Sequence, residues 1–221
     1  MSTQSPSSRE PGPTSRRALR ADAAATRRQL TAAVGQLLAE RGREFGLADV
    51  ATRAGASLAT TYRHLVSLDQ AIASYLEALI AGWVEAVERA AGHQEGIDRL
   101  RAICRAWVRQ ADEWGPAAVW IRSPWGVVER YTAEDPVVVA NWRVLAPVVH
   151  QMVDLGQIPP QPVEYAVLMW NTIFDERVIL DLRRGAGWSQ RRATRWLTES
   201  LLQVLSHPAT SGRRAAAGPD G

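Results

Sequence analysis

Lysine is absent from this 221-residue chain: all 26 basic side chains are arginines. Cysteine is almost absent. Cys104 stands alone, which excludes an intrachain disulfide and any paired-cysteine metal or redox motif, and fits a reducing cytoplasm. Its setting on an amphipathic stretch marks it as a packing thiol. His64, His93, His150 and His207 are scattered without metal-ligand spacing. Glycine-rich phosphate loops and nucleophile elbows are missing, and the carboxylates are dispersed, so nothing supports catalysis and no cofactor is expected. No apolar run approaches the ~20 residues that span a bilayer. The first residues, S-T-Q-S-P-S-S-R-E-P-G-P, lack the apolar centre of a signal peptide. Alternating strand patterns are also absent. The expectation is an all-α, cytoplasmic protein with disordered tails at 1–21 and 208–221.

Arginine-only usage also follows from a GC-rich coding bias, so position says more than total. Residues 1–66 hold ten Arg against five acids, a net of +5, while residues 67–221 hold sixteen against eighteen, a net of −2. The basic surface therefore belongs to the N-terminal third.

That third contains the most informative stretch, Gly46–Leu65, G-L-A-D-V-A-T-R-A-G-A-S-L-A-T-T-Y-R-H-L. Leu47, Val50 and Ala51 give a first short helix its apolar stripe. Gly55 stands where that helix must stop, because a left-handed C′ position costs glycine nothing. Ser57 can cap the next helix. Two helices joined by so short a turn have the spacing of a helix-turn-helix, whose second helix enters the DNA major groove. A longer helix from near Asp22 to Arg41 precedes them, with Thr26 and Gln29 at capping-box spacing and Asp22 as a competing cap. Residues 22–66 thus form the expected three-helix DNA-binding domain.

The pattern V-A-x-x-A-G-x-S-x-x-T-x-Y-R-H-L-x-S-L-x-x-A, within Asp22 to about Leu79, resembles the N-terminal domain of the TetR family of bacterial transcriptional repressors. Tyr62-Arg63-His64, an apolar residue and then Ser67 are its most specific part. Two positions depart from the family: Leu68 where Lys is usual, removing a phosphate contact, and Leu47 where Thr or Ser is common. The resemblance implies a homodimer of all-α subunits, Ω-shaped, with a C-terminal domain for ligand binding and dimerisation. Two recognition helices about 34 Å apart would read a palindromic double-stranded operator, and a small-molecule effector would shift their spacing.

Each candidate DNA contact follows from its chemistry. Tyr62 and His64 carry donors suited to phosphate oxygens. Arg63 is a phosphate clamp or a bidentate reader of guanine. Thr60 can donate to phosphate or base, Leu58 and Ala59 offer apolar contact, and Ser57 lies at the helix start. Arg16, Arg17, Arg20, Arg27 and Arg28 form a basic run that is either a solvated face or a minor-groove and phosphate arm.

Beyond Ser67 the pattern stays helical. A long helix reaches about Ala91, opened by a second capping box at Ser67 and Gln70. The next ends at Gly115-Pro116; another runs from Asp135-Pro136 to Leu155 across Pro147. Val163–Arg184 reads as one helix, apolar on most sides from Val163 to Phe174, and a last helix follows Ser189. Trp107, Trp114, Trp120 and Trp125 fall within nineteen of the chain's positions, a clustering that suits a cavity wall as well as a packed core. Trp83, Cys104, Trp142 and Trp170 would complete a pocket for an apolar or aromatic effector, with Asn171 and Asp175 as polar anchors. The excess apolar surface of the last two helices places Leu168, Thr172, Ile173, Ile179, Trp196, Leu197, Leu201 and Val204 at a dimer interface. The rival reading is a helical small-molecule-binding protein whose helix-turn-helix no longer reads DNA.

Overall fold

A computed structural model of the protein describes residues 13–119 and 125–207. Of the tail expected at 1–21, residues 1–12 lie outside the described residues, as do the tail expected at 208–221 and Trp120, whereas residues 13–21 belong to the first helix. Among the described residues the chain is helical, with no strand, and divides into two compact units, 1–75 and 76–221.

In the first unit, α1 (Pro13–Arg41) starts well before Asp22. Pro13 suits a first helical position, and the alanine-rich stretch after it favours helix. Thr26 is consequently mid-helix, and its Oγ1 donates to the Asp22 carbonyl at 3.0 Å rather than capping anything. α2 (Leu47–Ala54) packs on α1 and α3 (Leu58–His64) packs on α2, and Leu30, Val34, Leu37, Leu38, Val50 and Leu65 are all buried. α4 (Leu68–Ala91) begins in this unit and continues into the next. Gln70 N–H donates to Ser67 Oγ at 3.1 Å, while the Gln70 amide oxygen accepts from Val66, one residue earlier than a reciprocal capping box requires.

The second unit packs the rest of α4 with α5 (Gly96–Ala118), α6 (Val127–Thr132), α7 (Pro136–Asp154), α8 (Val163–Ile173), α9 (Glu176–Leu180) and α10 (Gln190–Ser206). Its core joins Leu100, Ile103, Leu145, Met152, Trp170, Phe174, Ile179 and Leu201. Two expectations fail here. α5 passes through Gly115-Pro116 and ends at Ala118: Leu180 packs so close to Gly115 that an added Cβ would meet its side chain at 3.1 Å, and this tertiary contact outweighs the local breakers. The helix expected over Val163–Arg184 divides at Phe174-Asp175, where the Asp175 carboxylate accepts the Arg177 N–H at 2.8 Å and opens α9. A π-turn over Asp181–Gly185 ends that segment.

Candidate nucleic-acid interface and ligand cavity

The helix-turn-helix is built by its caps. The Gly46 N–H donates to Asp49 Oδ2 at 2.8 Å, fixing the start of α2. Gly55 ends that helix at φ 65°, and the following N–H of Ala56 returns to the Ala51 carbonyl at 3.0 Å. Such a left-handed turn reverses the chain within three residues. Ser57 Oγ then accepts the Thr60 N–H at 3.0 Å and opens α3.

With the turn fixed, α3 buries Thr61 and turns Leu58, Ala59, Tyr62 and Arg63 to solvent, with Thr60 and His64 half-buried beside them. Tyr62 is 55% exposed, unusual for so large a ring. Arg63 donates to Thr60 Oγ1 at 2.9 Å, and Ser57 Oγ donates to the same oxygen at 2.9 Å. The side chain of Ser57 is therefore engaged in capping and in orienting Thr60, which in turn holds the guanidinium of Arg63 across the outer face of the helix.

Other arginines of this unit hold the domain together. Arg53 grips Glu40 through two bonds of 2.6 and 2.9 Å. Arg41 reaches Asp49 at 3.3 Å and Arg43 reaches Asp69 at 2.8 Å. The Arg53 hydrogen bond holds the Glu40 carboxyl below its ordinary range, and the Gly46 N–H does the same for Asp49. Arg27 and Arg28, in contrast, are exposed and have no ion pair among the described residues. The side chains of Arg16, Arg17 and Arg20 lie outside the described residues. Leu47 is a core residue, 8% exposed, which accounts for an apolar side chain at that position.

In the second unit a cavity of about 460 Å³ opens among α4, α5, α7 and α8. Trp83, Trp107 and Trp114 form its aromatic wall, with Leu79, Ile80 and Val138 beside them. The Trp83 and Trp107 rings stand 4.9 Å apart, tilted by 55°. A ladder of amides crosses one side. Trp83 Nε1 donates to Asn141 Oδ1 at 3.2 Å, Asn141 Nδ2 to Asn171 Oδ1 at 2.8 Å, and Asn171 Nδ2 to the Val167 carbonyl at 2.8 Å.

Of the expected pocket residues, Trp83, Trp107, Trp114, Asn171 and Asp175 line this cavity. Four others do not. Cys104 and Trp170 are fully buried in the core; burial pushes the Cys104 thiol up to about 12, against smaller opposing pulls from Thr198, Arg105 and Trp170. Neither Thr198 Oγ1 nor Trp170 Nε1 reaches hydrogen-bond geometry with a partner. Trp142 turns away to stack on Tyr131, centroids 4.2 Å apart. Trp125 is 60% exposed, two residues before the start of α6. Asp175 lines the cavity but also caps α9 and pairs with Arg177 at 2.9 Å.

Gln110, Arg130 and Asn141 line the cavity without having been expected. Asn141 had a signal: an amide one turn beyond Val137 and Val138 on an apolar helix. Gln110 had none, since a polar residue on an amphipathic helix ordinarily faces water. Its Oε1 is buried without a hydrogen-bond partner. Among the described residues no cluster of His, Cys, Asp or Glu could hold a metal ion, and no single helix is long and apolar enough to cross a membrane.

Of the expected interface residues, Ile179, Leu197 and Leu201 are buried within the subunit itself, at 0%, 7% and 0% exposure. They face the core that α5, α9 and α10 share, so they are unavailable to a second copy. Leu168, Ile173 and Val204 are half-buried, and Thr172 and Trp196 are exposed.

Comparison with known proteins agrees with this architecture. A helix-turn-helix domain of the IclR type matches residues 36–71, and no curated protein matches the chain by sequence. Solved structures match over most of its length. A regulatory protein of the tetR family from Rhodococcus RHA1 aligns with a TM-score of 0.65 at 16% identity, covering 83% of this chain and 98% of that one. The transcriptional regulator FadR from Bacillus subtilis, in complex with stearoyl-CoA, aligns at 0.67 and 16% identity, covering 79% and 96%. A complex of SmeT with triclosan aligns at 0.62 and 14% identity, covering 89% and 99%.

Proposed function

With the fold of TetR-family regulators as premise, we propose that the protein is a cytoplasmic, ligand-responsive transcriptional regulator, acting as a homodimer and repressing from a palindromic operator. The observation that carries this reading is α3: a capped helix that shows Leu58, Ala59, Tyr62 and Arg63 to solvent while the same domain engages Arg41, Arg43 and Arg53 internally. A helix-turn-helix that had lost its role would have no reason to keep an exposed tyrosine and an oriented arginine there. Arg27 and Arg28 supply further phosphate contacts on this reading. Leu58 and Ala59 meet base edges or thymine methyls.

The effector is an apolar, aromatic molecule seated against Trp83, Trp107 and Trp114. Ligand cavities are mostly apolar with a few placed polar groups, and the Asn141–Asn171 ladder, Gln110 and Asp175 are those groups here. The complexes of FadR with stearoyl-CoA, which carries a long acyl chain, and of SmeT with triclosan, an aromatic compound, support this reading. Release of DNA requires only that the effector bind one of two states more tightly. Catalysis forms no part of the proposal.

Gel-shift titration with DNA from immediately upstream of the protein's own gene tests the first half. Sequence-specific retardation, weakened by ligand extracted from the purified protein, is the expected result. Equal binding to unrelated DNA would favour the ligand-binding protein with a silent helix-turn-helix.

A further inference from the structure

Apart from the tryptophan-walled cavity, residues 76–221 carry a second concavity. It is an open groove of about 780 Å³ between α5 and α10. Small side chains floor it: Ala102 and Ala106 from α5, Thr194 and Thr198 from α10. Its rim is cationic. Arg101, Arg105 and Arg109 follow one another at every fourth residue of α5, and Arg191 and Arg195 do so on α10. Each set therefore occupies one helix face at steps of about 6 Å. Glu199 is the one acid in the lining.

Arg101 pairs with Asp98 at 3.2 Å, Arg183 holds Asp112 at 2.9 and 3.1 Å, and Arg192 lies 4.2 Å above the Trp188 ring. Arg105, Arg109, Arg191 and Arg195 make no ion pair or hydrogen bond among the described residues. Four uncompensated guanidinium groups on one groove repel each other and focus a positive potential into it. Ser189 and Gln190 bring the N-terminus of α10, a 17-residue helix, to the same groove. Its first-turn N–H groups and the positive end of its dipole favour an anion as well.

We propose that this groove binds a small molecule carrying two or more linked phosphate groups. Arginine forks bind phosphate oxygens in pairs. One orthophosphate would reach a single step of either arginine row, whereas a linked oligophosphate follows the row. The site shares no residue with α3 or with the aromatic cavity, so the protein would answer to an anionic metabolite independently of its apolar effector.

Inorganic triphosphate is the probe, titrated calorimetrically into the full chain at physiological ionic strength. Saturable binding is expected, tighter than that of orthophosphate. Arg105→Gln with Arg195→Gln should weaken it by about tenfold or more, the loss of two charge-assisted contacts, with the circular dichroism spectrum unchanged. Arg63→Ala should leave it intact. If the double variant fails to fold, Arg109→Lys keeps the charge, loses the fork, and should weaken triphosphate alone. Binding that survives these groove substitutions, vanishes in Arg63→Ala, or never saturates would overturn the proposal.

Discussion

Arg63 illustrates how one side chain acquires a direction. Ser57 caps α3, the same hydroxyl donates to Thr60, and Thr60 accepts from Arg63, so three residues at i, i+3 and i+6 form one chain of hydrogen bonds. Arg63→Ala should abolish specific operator binding in a gel shift while leaving the melting temperature unchanged. Each lost contact of this kind is worth roughly 1–3 kcal/mol, and a symmetric dimer loses it twice. Thr60→Val should weaken binding less, since it frees the arginine without removing it. Retention of full affinity by Arg63→Ala would remove α3 as the reading element. Cys104 is the opposite case, a side chain with no outward role. A thiol at about 12 stays protonated at neutral pH and presents no thiolate. Ellman's reagent should leave the folded protein unlabelled at pH 8 and label it once denatured; rapid native labelling would mean that the core around Trp170 opens.

The helices show why parts of the fold were legible and others were not. Gly55, Ser57 and Ser67 act through neighbours within a few residues, and these caps form as the sequence suggests, with Gln70 shifted to Val66, whereas the caps expected at Asp22 and Thr26 are absorbed into the longer α1. Gly55→Ala would force an alanine to φ 65° in open space, so it should destabilise the N-terminal unit by about 1 kcal/mol through backbone strain alone. The continuation of α5 through Gly115-Pro116 involves a partner remote in sequence, Leu180 against Gly115, and remained invisible for that reason. The cavity wall divides the same way. Trp83, Trp107 and Trp114 share helix faces that periodicity exposes, whereas the turn of Trp142 toward Tyr131 depends on how α6 meets α7. Tyr75 provides an element-level test. Gly35 leaves room for its ring on α1, where an added Cβ would stand 2.7 Å from Cζ. Burial pushes the Tyr75 hydroxyl up to about 12. The neutral phenol is thus favoured in the folded state, and its contribution to stability is complete below the unfolded value of about 10 and lost as pH rises from there through 12. Chemical denaturation followed between pH 9 and 12 should show this loss in wild type and not in Tyr75→Phe. Glu40 and Asp49 work in the other direction: both are lowered, so their contribution holds above the ordinary carboxylate range and fades as pH falls through their folded values.

At the scale of the whole molecule, the proposed operator reading by a pair of recognition helices requires two copies, and the burial pattern narrows where they would meet. The α8–α10 surface splits into two sets. Ile179, Leu197 and Leu201 already fill the subunit's own core. Tyr165 at 44% and Trp196 at 49% remain outside, next to half-buried Leu168, Met169, Ile173 and Val204. Apolar side chains left at one helix pair are the ordinary basis of an isologous four-helix contact. The two sets should fail differently on substitution. Leu201→Asp buries an unpaired charge in the subunit and should abolish folding, seen as loss of the cooperative melt. Trp196→Glu together with Leu168→Glu should leave a folded monomer, seen by sedimentation velocity at micromolar concentration with the helical spectrum retained. That monomer should also lose operator affinity, because each half-site is then bound alone. A wild-type chain that sediments as a folded monomer, or a double variant that remains dimeric, would move the interface away from α8 and α10.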